Sequence, residues 1–274
     1  MIDWPIETRI RRLFEIASRI TFLTGAGVSA ESGIPTFRGP EGYWRIGSVN
    51  YQPQEIATFA MFQKMPHEVW KWYLYRRGVC RTAAPNGGHL ALAKLEEILG
   101  ERFHLVTQNV DGLHLRAGNS LSKTFQIHGN INYMRCSAAC TTDVFPIPGK
   151  TPVISRDDSP SEWVWQQLKC PHCGERTRPH VLLWDETYNE AYYHLQSTLA
   201  LSQQTDLLII IGTEGAANLP NRMARQVAAS GGAIIDINIR RNLFSDMALT
   251  TPRGFFWECA GSDALSKIVG LLET

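Results

Sequence analysis

No stretch of this 274-residue chain approaches the ~20 consecutive apolar residues that a bilayer requires, which excludes a membrane-spanning helix. The opening Met1-Ile2-Asp3-Trp4-Pro5 has neither a basic nor an apolar segment, so no secretory signal is read there and the expected location is the cytoplasm. Net charge is equally scarce. The 27 Lys and Arg against 26 Asp and Glu leave +1, and bulk electrostatics gives no reason to invoke nucleic acid or a membrane surface. The basic cluster Arg9, Arg11 and Arg12 reads as the solvated face of a helix. There is no internal repeat and no low-complexity tract. Cysteine is sparse too: six residues, which in a reducing compartment argue for a metal site or free thiols rather than disulfides.

What is present is an ordinary globular composition, 44% hydrophobic and 19% charged, in a length that allows one large domain or two small ones. Four short runs read as buried strands: Ile20–Thr24, Phe103–Thr107, Leu207–Ile211 and 233–237. The last two are apolar throughout, as expected when helices cover both faces of a parallel sheet. Helical periodicity lies between and before them, over 7–18 and 88–99. The alternation predicts an α/β fold, a Rossmann-like doubly wound parallel sheet. Its residues are 1–38, 86–130 and 181–274, within a single domain of 1–274. Two stretches break the rhythm. Residues 39–85 are rich in aromatics and become helical over 66–81, so they read as a helical module. Residues 131–180 hold Cys136-x3-Cys140 and Cys170-x2-Cys173 with little apolar mass, and read as a small inserted subdomain that needs a staple. Four thiolates suit tetrahedral zinc and leave no open position, so the predicted zinc is structural. His172 is a further, exposed candidate, and Cys80 and Cys259 read as ordinary buried thiols.

The first strand ends in Gly25-Ala26-Gly27-Val28-Ser29-Ala30, which fits the G-x-G-x-x-G/A dinucleotide pattern. The first glycine allows a tight turn, the second allows the backbone to approach a pyrophosphate, and a helix N-terminus would follow. A bare strand-to-helix turn explains the same residues equally well. The acidic ribose ligand usual about 20 residues later is not evident, which disfavours an ordinary dehydrogenase.

The stretch continues Glu31-Ser32-Gly33-Ile34-Pro35-Thr36-Phe37-Arg38-Gly39. Later come Thr107-Gln108-Asn109-Val110-Asp111-Gly112-Leu113-His114, then His128-Gly129-Asn130, the four cysteines, Arg178-Pro179-His180-Val181, Gly212-Thr213 and Asn238. In this order these blocks resemble the signatures of the sirtuin family over nearly the whole chain, with no separate targeting or regulatory domain expected. The resemblance implies NAD and structural zinc, and a cleft between the Rossmann part and the zinc subdomain that takes an acylated-lysine protein or peptide. The acyl oxygen would attack the ribose carbon bearing nicotinamide. His128 would then act as general base on a ribose hydroxyl, giving free lysine, nicotinamide and O-acyl-ADP-ribose. A histidine with an ordinary pKa near ~6.5 suits that proton transfer.

By the same resemblance Asn109 joins His128 in catalysis. Gln108 and Asn109 contact the nicotinamide-side ribose, and Asp111 holds the nicotinamide amide, although Asp111 could equally cap a helix. Phe37 and Arg38 lie on the loop over the cofactor. Gly25, Ala26, Gly27, Ala30, Thr36, Gly212, Thr213, Asn238 and Ala264 complete the cofactor site. Val181 and Trp184 meet the peptide. Tyr73 and Arg76, three apart on one helix face, resemble the Tyr-x-x-Arg pair of the sirtuin subgroup that removes acidic acyl groups such as succinyl or malonyl, and the run Gly42-Tyr43-Trp44-Arg45 fits that subgroup. An aromatic core stripe is the plainer explanation of the same helix.

Three positions depart from the family pattern. Asp185 stands where a glycine usually precedes the glutamate after Arg-Pro-His-Val, Glu214 where a serine follows Gly-Thr, and Arg240 where an acidic residue is common. Asp185 would disturb pairing of the peptide as an added strand, and Glu214 and Arg240 are expected to form a compensating ion pair. The altered peptide segment motivates an alternative, an NAD glycohydrolase or protein ADP-ribosyltransferase on the same fold. A non-catalytic NAD-sensing module is a third reading, and the intact Asn109, Asp111 and His128 argue against it.

Overall fold

The computed structural model describes residues 5–36 and 51–273, so Phe37, Arg38 and the 42–45 run lie outside the described residues. The described residues form nine strands: β1 (Ile20–Thr24), β2 (Phe103–Thr107), β3 (Thr124–Gln126), β4 (Gly129–Cys136), β5 (Val144–Pro146), β6 (Thr177–Val181), β7 (Leu207–Ile211), β8 (Ala233–Asn238) and β9 (Phe255–Glu258). Six of them make one parallel sheet in the order β3-β2-β1-β7-β8-β9. The four strands read from the sequence are its centre. The fourth runs one residue further than expected, to Asn238.

Alternation along the strands builds two cores. In β7 the side chains of Leu207, Ile209 and Ile211 enter a cluster with Ile10, Phe14, Leu92, Leu95, Leu265 and Ile268. Leu208 and Ile210 point the opposite way, into a cluster with Leu219, Met223, Val227 and Phe244. A strand of period two buried on both faces has no polar position to spare, which is why this run is apolar throughout.

The remaining strands form a small antiparallel sheet, β5-β4-β6, carrying the cysteines. It does not have a core to itself. Trp70, Trp72, Tyr73 and Leu74 of the helix Pro66–Thr82 pack in one cluster with Met134, Ile147, Val164, Leu168, Val181 and Leu183. The Trp70 indole N–H donates to the Thr177 carbonyl of β6 at 2.8 Å. The helical module and the cysteine-bearing sheet thus supply each other with the apolar mass that each lacks.

Ile209 is fully buried in the central strand. Ile209→Ala should lower the unfolding free energy by about 2–5 kcal/mol, seen as a lower denaturant midpoint at unchanged slope. A loss under about 1 kcal/mol would contradict this placement of β7.

Candidate active site

The chain runs from β1 to β2 and β3 on one side of the sheet, then crosses to β7, β8 and β9 on the other. The order reverses between β1 and β7, and ligands of open α/β sheets bind beyond the strand ends at such a switch. The two turns that leave those strands are Gly25-Ala26-Gly27 and Gly212-Thr213. They lie against each other, with the Gly27 N–H donating to the Gly212 carbonyl at 2.9 Å. A Cβ on Gly25 would come within 2.6 Å of the Thr213 Cβ, and one on Gly27 within 2.7 Å of the Gly212 Cα. Gly212 itself has φ +62°. The glycines are therefore required by the contact of the two turns, a reason that differs from the pyrophosphate approach expected from the pattern alone. The helix expected after the turn is a 3₁₀ helix, Ala26–Ser32. Ala30 lies exposed on it and Ala26 half-buried, while Thr36 is half-buried at the end of the first described stretch.

The segment following β2 closes the floor. The Gln108 side-chain amide donates to Thr213 Oγ1 at 3.0 Å, and the Asn238 amide to the Thr213 carbonyl at 3.0 Å. Asn109, 8% exposed, donates to the Gly25 carbonyl and to Ser29 Oγ at 3.0 and 3.1 Å. Asp111 accepts from Ser29 Oγ and from the Leu113 N–H, both at 2.8 Å. It holds the first amide of the helix Leu113–Ala117 and reaches into the site at once. Burial pushes its carboxyl above the usual range, opposed by the two hydrogen bonds and by the charges of Arg116 and Arg76. Ser29 also meets His89 Nε2 at 3.3 Å. Neither Ser29 nor His89 was picked out from the sequence; Ser29 stood in plain view inside the first motif. Ala264, by contrast, is fully buried in the core and its side chain shows no surface to a ligand.

His128 sits between β3 and β4. Its Nδ1 lies 2.9 Å from the Gln108 carbonyl and its Nε2 2.8 Å from the Tyr188 hydroxyl. A carbonyl only accepts, so Nδ1 carries the proton and Nε2 is a bare acceptor. Burial lowers the pKa to about 4. The ring is neutral at pH 7, the form a general base needs. Gly129, at φ +80°, is where β4 begins; a Cβ there would lie 2.2 Å from the His180 carbonyl of β6.

The four cysteine sulfurs all lie within 4.8 Å of one another, with Cys136–Cys173 and Cys140–Cys170 at 3.6 Å. Zinc–sulfur bonds of ~2.3 Å in a tetrahedron place sulfurs ~3.8 Å apart, so the donor set fits a closed structural zinc. His172 pairs with Asp143 at 3.1 Å instead of joining the set. Burial pushes the Cys80 thiol up to about 12, the behaviour of an inert core thiol. Cys259 is half-buried against the larger core.

The Sir2 family profile matches residues 25–218. A curated NAD-dependent protein deacylase of Leptospira interrogans is 40% identical over 227 residues, 83% of this chain and 84% of that one. One of Pyrococcus furiosus is 33% identical over 261 residues, 95% of each chain. A solved Sir2 homolog in complex with NAD superimposes with a TM-score of 0.79 at 31% identity, covering 98% of this chain and 94% of that one. The chain belongs to the Sir2 family.

The departures of this sirtuin from the family pattern have local explanations. Asp185 accepts from the Phe59 and Ala60 N–H groups at 2.6 and 3.0 Å, capping the helix Phe59–Lys64. These two bonds hold its pKa low against desolvation. Next to it, the Trp184 N–H donates to the Ala57 carbonyl at 3.0 Å while the Trp184 ring is 42% exposed. Arg240 is paired with Glu214, its Nε donating at 3.0 Å, so the expected ion pair is present. Val181 is buried at the end of β6, in the cluster shared with the helix Pro66–Thr82. Arg178 forks onto Glu186 at 2.6 and 2.7 Å, and Glu186 also accepts from the Leu183 N–H at 2.9 Å.

Tyr73 and Arg76 are 2% and 5% exposed. The Arg76 guanidinium carbon lies 4.8 Å from the Trp72 ring centre and 5.6 Å from that of Tyr73. Burial raises the Tyr73 pKa to about 12, with Arg76 the largest opposing influence. The phenol is protonated and is a donor throughout the physiological range.

Cys170→Ser should reduce bound zinc from stoichiometric to a small fraction and lower Tm by several degrees; full zinc at unchanged Tm contradicts the assignment. The depressed His128 pKa makes a second prediction. The imidazole should stay neutral as pH falls through 6.5 and take up its proton only near 4, by 15N NMR titration. The unfolded chain binds that proton first, so this residue's contribution to stability falls with pH between those values. A midpoint at 6 or above sinks this reading of the site.

Proposed function

We propose that this sirtuin is an NAD-dependent protein-lysine deacylase whose acyl pocket accepts acidic chains, succinyl or malonyl, as well as acetyl. Deacylation itself rests on family membership together with His128, a neutral histidine with its lone pair at the strand-end crevice. NAD, once bound, supplies the electrophilic ribose carbon. The chain's part is to position and to move a proton. His128 Nε2 takes the proton from a ribose hydroxyl. Asn109 and Asp111 are fixed through Ser29 at the floor of the crevice, where the nicotinamide end is expected. O-acyl-ADP-ribose, nicotinamide and free lysine are the products.

The observation that carries the acyl preference is the pair Tyr73 and Arg76, buried side by side on the helix Pro66–Thr82. A guanidinium receives a carboxylate in a fork geometry, and a phenol held protonated adds a donor. The capping role of Asp185 supports deacylation over the glycohydrolase reading, since the unusual residue is engaged by the Phe59 and Ala60 amides. A four-thiolate zinc site fits the reducing cytoplasm expected from the sequence.

Nicotinamide release, measured without peptide, with acetyl-lysine peptide and with succinyl-lysine peptide, tests the proposal. Release should require peptide and favour succinyl. Arg76→Met should lower kcat/KM for succinyl-lysine by about 10- to 100-fold, the worth of a charged hydrogen-bonded pair, and leave acetyl-lysine within a few-fold. Equal losses on both substrates, or an acetyl preference in the unaltered protein, remove the carboxylate role. His128→Ala should abolish turnover while NAD binding persists; release that continues refutes the base, and release without peptide favours the glycohydrolase.

A further inference from the structure

The loop between β6 and the helix Leu195–Gln203 brings one residue to the base that no motif singled out. Tyr188 places its hydroxyl 2.8 Å from His128 Nε2, with the two rings 5.8 Å apart between centres. The geometry leaves no ambiguity about direction. Nδ1 of His128 must donate to the Gln108 carbonyl, so Nε2 accepts and the Tyr188 O–H donates. The tyrosine ring packs against the cluster that holds Leu23, Val106, Ile127 and Leu219. On the near side the loop is fixed by Glu186, which Arg178 and the Leu183 N–H hold. On the far side it is fixed by Asn189, whose side chain accepts from the Tyr192 N–H at 2.9 Å. The contact with His128 is thus anchored from both flanks.

A neutral imidazole has one acceptor nitrogen, and that nitrogen has one lone pair in the ring plane. A hydroxyl about to give its proton to Nε2 must lie about 2.6–3.2 Å from it. The Tyr188 oxygen already occupies that position. We propose that Tyr188 caps the general base: its hydroxyl fills the acceptor position of His128 in the free enzyme, and the ribose hydroxyl of the incoming dinucleotide must displace it before the base can act. This rests on the reading of His128 as base. Tyr188 is a positioning residue here and takes no proton itself. Displacement breaks the hydrogen bond between a half-buried phenol and His128, so the free enzyme resists engagement of the ribose. Removing the hydroxyl while keeping the ring removes that resistance.

Tyr188→Phe is the test, since the ring that packs in the core stays in place; its Tm should lie within a few degrees of the unaltered protein. ADP-ribose, which carries the ribose hydroxyls, should bind about tenfold more tightly to the variant by calorimetry. KM for NAD should fall with it, and kcat should hold or rise. In the unaltered protein labelled with 3-fluorotyrosine, the 19F resonance that is missing from Tyr188→Phe should move on addition of ADP-ribose, at the same saturation as the 15N shift of His128. If Tyr188 instead passes the proton on, Tyr188→Phe will lose kcat by tenfold or more with ADP-ribose affinity unchanged, and the cap is refuted. A static 19F resonance at saturating ADP-ribose refutes it equally. These outcomes are separate from the His128→Ala result. Loss of turnover in that variant together with unchanged affinity in Tyr188→Phe keeps the base and discards the cap.

Discussion

The contact on which the site depends is the one between two backbone turns, those that leave β1 and β7. Neighbouring parallel strands lie about 4.8 Å apart, and the turns beyond them meet without side chains between them. Gly25 and Gly27 are pressed on Gly212 and Thr213. Any Cβ at these glycines would wedge β1 from β7 at the point where the strand order reverses. The segment after β2 then fastens onto the closed pair through Gln108 to Thr213 and Asn109 to Gly25, and Asn238 at the end of β8 fastens from the other side. Four strand ends are locked by side-chain amides donating to the oxygens of two turns. His128 hangs from this frame by the Gln108 carbonyl.

Much of this was legible in the sequence because it is carried by local pattern. Continuous apolar runs marked the central strands, paired cysteines marked the zinc, and contiguous motifs marked Asn109, Asp111 and His128. The edge strands β3 and β9 were not read. They are three and four residues long and only partly buried, and a short edge strand has too little apolar periodicity to stand out. The network around Ser29 was missed for another reason. Ser29, His89 and the pair Asn109 and Asp111 come from three separate segments, and their bonds exist only after folding. Tyr188 lies in a loop with no periodicity at all.

Asp185 shows how a departure from a sequence pattern can carry a role that only the fold reveals. Compared with the family glycine it looked like an obstacle to a peptide strand. In the fold its carboxylate meets the first amides of the helix Phe59–Lys64, a partner far away in sequence that no local pattern reveals. A charged acceptor at a helix N-terminus contributes about 1 kcal/mol. Glu214 and Arg240 behave alike, two departures that cancel as a pair.

The shared core beneath the helix Pro66–Thr82 has a consequence for how this enzyme can vary. The helix that carries Tyr73 and Arg76 is packed against the zinc-bearing sheet and pinned to β6 through Trp70. On the reading proposed above, one packed unit therefore carries the acyl pocket on one side and the metal knuckles on the other. Loss of metal would be felt first as a loosening of substrate selectivity, at temperatures where the parallel sheet is still intact. Any retuning of the proposed acyl pocket is likewise confined to what the packing of the zinc-bearing sheet tolerates.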